Sequence, residues 1–137
     1  MTILQNQYVQ IILHASEQLA VATWSAATEQ MDEEAYKAVF MELADVFEKH
    51  QVRYWLGDAK DFRTPVTPDL QLWVALEFTP RLISSGVRKM AVVIPTEFIP
   101  SLSVEQSMEE MKEHHEEKLF DMAYFDDVSA ARAWLLR

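Results

Sequence analysis

The chain has 137 residues, half of them apolar and a quarter charged, a composition that fits one globular domain with an ordinary core. It has no cysteine, which excludes a disulfide framework, a thiolate zinc site and a cysteine nucleophile. Twelve Lys and Arg stand against 22 Asp and Glu, a formal net charge of −10. Such a surface repels phosphate backbones and anionic membranes, so nucleic-acid binding is not expected.

No apolar run approaches the roughly 18 residues that would span a bilayer, and no basic segment leads into an apolar one near Met1. Membrane insertion is therefore not expected, and a cytoplasmic location is. No repeat or Gly/Ser-rich linker divides the sequence, so residues 1–137 read as a single domain.

Residues 7–14 and 19–25 are rich in β-branched and aromatic types, and the short Ala15–Gln18 link makes them an antiparallel hairpin. Tyr36, Val39, Phe40, Leu43 and Phe47 recur at helical spacing across residues 31–50. Asp32, Glu33 and Glu34 open that helix and Lys49 and His50 close it, which suits the helix dipole. A short strand, Val52 to Leu56, ends at Gly57-Asp58. After a polar loop, Thr67 caps a helix with Pro68 in its first position. Leu72, Trp73 and Leu76 predict its apolar stripe. Pro80 should kink or restart it, and Gly86 should end it.

Val87 to Ile94 reads as a central strand covered on both faces. Ser103 with Gln106 forms a capping box for a helix carrying Val104, Met108 and Met111. Residues 119–125 predict a last strand. Asp126 or Asp127 then caps a final helix with Val128, Ala131, Trp134 and Leu135 inward. Strands alternating with helices after an opening hairpin imply an α/β fold with a mixed sheet.

This element order, with Trp55-Leu56-Gly57-Asp58-Ala59-Lys60, then Trp73, Pro80-Arg81, Gly86 and the closing Phe125-Asp126-Asp127…Trp134-Leu135, resembles the SpoIIAA-like branch of the STAS fold. The resemblance runs from about Tyr8 to Leu136. It implies a four- to five-stranded sheet with helices mainly on one face. In anti-sigma-factor antagonists of that fold, the loop after the central strand carries an Asp-Ser phosphorylation site at a helix start. Here Asp58 has a counterpart, but Ala59 stands in the serine's place and offers no acceptor hydroxyl.

The segment from Asp58 to Thr67 is the foremost binding surface in the sequence, since open α/β sheets bind at the C-terminal ends of their strands. Asp58, Lys60 and Arg63 bring both signs of charge there, and Thr64 and Thr67 bring hydroxyls. A solvated loop with Asp58 paired to Lys60 or Arg63 is the plainer alternative. Tyr54 and Trp55 point to opposite sheet faces, so one ring lies on the less covered side; core packing is the alternative for both.

His114-His115-Glu116-Glu117 has neither the spacing nor the geometry of a zinc motif, and no metal or other cofactor is expected. Nucleophile-elbow, phosphate-loop and dinucleotide motifs are missing. The sequence reads as a non-enzymatic regulatory module that binds a protein partner or forms a homodimer through Trp55, Asp58, Lys60, Arg63, Thr64 and Thr67. A carrier of a small apolar ligand, suggested by the aromatic and methionine content, is the second reading.

Overall fold

The computed structural model describes residues 1–95 and 120–137. Six strands form one sheet in the order of the chain: β1 (Thr2–Gln5), β2 (Val9–His14), β3 (Leu19–Trp24), β4 (Tyr54–Asp58), β5 (Lys89–Val93) and β6 (Asp121–Phe125). β1, β2 and β3 are antiparallel neighbours; β3 through β6 run parallel. The sheet is mixed, as expected, with one strand more than the expected four or five. Thr2–Gln5 is too short to signal itself in sequence, and it pairs with β2 across a register shift between Thr2 and Leu4.

Helix α1 (Glu33–Lys49) opens on Asp32, whose side chain accepts the Ala35 N–H at 2.8 Å. It links β3 to β4. Between β4 and β5 the chain forms α2 (Pro68–Trp73), a wide π turn (Val74–Phe78) and α3 (Thr79–Ser85). Parallel crossovers that share one hand and step the same way across a sheet lie on the same face. Here α1 and the α2–α3 segment pack over Ile11, Ala22 and Trp55, and share one core. The last helix, α4 (Val128–Leu136), folds back over the opposite face, where Ala131 and Leu135 bury Leu19, Leu56, Ala91 and Val93. Full burial of a leucine such as Leu135 contributes about 1.5–3 kcal/mol.

The predicted stripe of the α2–α3 segment holds at Trp73, which packs on the core, and is corrected at its two leucines. Leu72 and Leu76 are 44% and 50% exposed, whereas Leu70, Val74, Phe78 and Leu82 are buried. Four residues advance an ideal α-helix by more than a turn, so an i, i+4, i+8 series drifts around it. The π turn holds more residues per turn and brings the series back onto one face. Pro80 follows directly. It lacks an N–H and its ring crowds the preceding turn, which a widened turn relieves.

The predicted helix after Ser103 and the His114–Glu117 cluster lie outside the described residues. No helix among the described residues is long and apolar enough to cross a membrane.

Candidate functional site

The loop from Asp58 to Thr67 leaves the sheet at the C-terminal end of β4. The Ala59 N–H donates to the Val93 carbonyl at 2.8 Å, which carries the β4–β5 ladder one residue past the strand. Asp58 then turns the chain. Its Oδ1 accepts the Lys60 N–H at 3.3 Å, and its Oδ2 lies 3.9 Å from Lys60 Nζ. The Ala59 methyl packs against the apolar group around Val92 and Ile94. Ala59, which the resemblance sets against a phosphoacceptor serine, thus contributes a half-buried methyl.

Past Ala59 the loop is fixed at two points. Phe62 sets its ring edge-on to Trp24, centroids 5.2 Å apart, and edge-on to Tyr36 at 6.4 Å. One residue on, the Arg63 N–H donates to Thr28 Oγ1 at 2.8 Å. Thr28 Oγ1 in turn donates to the Ser25 carbonyl at 2.8 Å, and Thr64 Oγ1 donates to the Thr28 carbonyl at 2.6 Å. Thr28 belongs to the 3-10 segment Ala26–Gln30 that leads from β3 into α1. The two threonines therefore lash the loop to the far side of the β3 exit.

The phenylalanine anchor belongs to a larger aromatic network. Tyr36 stacks on Phe40 at 4.3 Å, Phe40 meets Phe78, and Phe78 meets Trp55 and Trp73. Aromatic pairs in such edge-on and offset geometries add about 0.5–1.5 kcal/mol beyond their burial. Burial in this network pushes the Tyr36 phenol far above its ordinary pKa, so it stays neutral.

Five of the six residues expected to bind lie on this loop, and the structure separates their roles. Lys60 and Arg63 are exposed, as is their neighbour Asp61. Asp58 shapes the turn. Thr64 is 7% exposed and its hydroxyl is committed to Thr28. Thr67 caps α2 by accepting the Leu70 N–H at 3.2 Å. Trp55 is corrected: it is 1% exposed, with Phe47 at 5.3 Å and Phe78 at 6.0 Å, and cannot be a surface anchor. Strand alternation directs it into the α1 core, while Tyr54, partly buried, points toward α4.

Sequence reasoning missed Phe62 and Thr28. An isolated phenylalanine inside a charged run is a usable signal. Thr28 carries none, because its importance comes from a partner 36 residues away. No group of three or more metal-ligating side chains occurs among the described residues.

A mixed six-stranded sheet, with the β3–β4 and β4–β5 crossovers on one face and a fastened charged loop at its C-terminal edge, fits an α/β domain of STAS type. The SpoIIAA-like family model matches residues 23–136, and the chain belongs to that family. No curated protein and no solved structure matches the chain.

Proposed function

We propose that this chain is a non-enzymatic regulatory module whose protein partner docks on the Asp58–Thr67 loop. Membership of the SpoIIAA-like family supports the general role, since domains of this type commonly act through protein interactions. One observation carries the placement: the backbone is pinned at Phe62 and Thr64, while Lys60, Asp61 and Arg63 between and beside the pins are exposed. A loop already ordered gives up little conformational entropy on binding, so its charged side chains contribute more of their contact energy to affinity. Arginine is also among the residues that most often dominate such interfaces.

The partner is a second protein or a second copy of the chain. Association measured by sedimentation velocity and by co-purification tests the placement. Arg63→Ala and Lys60→Ala should each weaken association by about tenfold, the scale of a single interface anchor, with the circular dichroism spectrum unchanged. Unaltered association in both variants would move the docking surface elsewhere.

A further inference from the structure

The positive charges of the chain are unevenly placed. Lys37 pairs with Glu33, Lys60 with Asp58, Arg81 with Asp45 and Glu48, and Arg132 with Glu17. Among the described residues, Lys49, Arg53, Arg63, Arg88, Lys89 and Arg137 form no ion pair. All but Arg63 gather where the parallel strands begin, at the opposite end of the sheet from the Asp58–Thr67 loop. Lys49 ends α1, Arg53 precedes β4, Arg88 and Lys89 open β5, and Arg137 follows α4.

Arg53 and Arg88 are neighbours. The Arg88 N–H donates to the Arg53 carbonyl at 2.8 Å, and the Tyr54–Lys89 register, extended back by one residue, sets the two arginines side by side. By alternation both point to the face that Trp55 and Met90 occupy. Like charges in that relation oppose folding.

Helix ends explain part of the cluster. α1, α3 and α4 all finish at this end, each contributing roughly half a negative charge. Arg53 Nη1 reaches the Gly86 carbonyl at 3.4 Å, and Lys89 Nζ reaches the Trp134 carbonyl at 3.2 Å. Against this stand five unpaired formal charges. Asp121 lies in register with Lys89, Glu17 serves Arg132, and Asp45 and Glu48 share Arg81, which leaves one carboxylate of that pair unmatched. Among the described residues the balance at this end stays positive, on a chain whose net charge is −10.

We propose that this end of the sheet docks an acidic segment of a protein partner, with Arg53 and Arg88 receiving carboxylates and Lys49 and Lys89 supplying the surrounding field. The guanidinium fork matches a carboxylate in two parallel hydrogen bonds. A short acidic segment responds to charges within about one Debye length, roughly 8 Å at physiological salt. A long nucleic acid meets the repulsion of the whole acidic surface. The inference stands apart from the loop proposal, because the two surfaces lie at opposite ends of β4.

Amide NMR titration at low salt tests it, with a hexaglutamate peptide as probe and a thymidine hexanucleotide in parallel. The peptide should shift the amides of Arg53, Arg88 and Lys89. The exposed double variant Lys49→Glu/Arg88→Glu should bind it roughly tenfold more weakly, the scale of a few exposed ion pairs. Arg88→Gln should weaken it less, and Arg63→Glu should leave it unchanged. Shifts without a focus, undiminished binding by the double variant, or tighter binding of the oligonucleotide would overturn the proposal.

Discussion

Gln18 and Gln51 meet where β3 and β4 begin, both in the left-handed backbone conformation, at φ 53° and 55°. The Gln18 Nε2 donates to the Gln51 carbonyl at 3.3 Å, and the Gln18 carbonyl accepts the N–H groups of Arg53 and Tyr54. Two unfavourable backbone conformations are thus held by the parallel pairing they introduce. Left-handed backbone costs a non-glycine residue about 1–2 kcal/mol.

Gln51→Gly relieves that strain and keeps the carbonyl that Gln18 uses. Glycine's greater freedom in the unfolded chain returns about 0.5–1 kcal/mol of the gain. A net stabilisation of about 0.5 kcal/mol is expected, seen as a higher urea midpoint at unchanged m-value.

Gly86 ends α3 at φ 111°, and a Cβ built there would lie 2.0 Å from Arg53 Nη1. Gly86→Ala should destabilise the fold by about 1–2 kcal/mol. The guanidinium is the far end of a flexible chain and can swing away, so backbone strain is the larger part. Adding Arg53→Ala should therefore recover little of the loss in a double-mutant cycle. Full recovery would place the cost in the steric clash.

Thr79 is fully buried and its hydroxyl finds no hydrogen-bond partner among the described residues. Thr79→Val keeps the shape and removes the unsatisfied group. Thermal and urea unfolding should show a gain of up to about 1 kcal/mol.

The sheet and the helices beside it were legible because their signals are local. Alternation over Val9–His14, the stripe from Tyr36 to Phe47, and Thr67-Pro68 ahead of α2 each come from short-range chemistry. In the α2–α3 segment two i, i+4 series are apolar, Leu72–Leu76 and Leu70–Val74–Phe78, and periodicity alone does not say which of them faces the core. Trp55 was misplaced for a different reason. Alternation shows that Tyr54 and Trp55 oppose one another, but which face carries α1 depends on the crossovers. The charged loop was legible as a place, since it follows a strand end. Its fastening by Thr28 and Phe62 depends on contacts across the fold that no local pattern records.

Thr64→Val removes the hydroxyl that holds the loop to Thr28 while keeping its shape. The loss should be about 0.5–1.5 kcal/mol, the net worth of one hydrogen bond, because the Thr28 carbonyl keeps the Met31 N–H as a donor. Hydrogen exchange at the Arg63 amide, itself bonded to Thr28, should accelerate more than exchange within β4. Equal acceleration at both would mean that the threonines stabilise the domain and not the loop.

The most direct test of the docking role is native mass spectrometry of the chain purified from its source cells, beside the Lys60→Ala/Arg63→Ala variant. The loop proposal predicts a complex with a protein partner or a second copy, and its loss in the variant. Identical complexes for both chains, or a retained small apolar molecule in place of a protein, would contradict it.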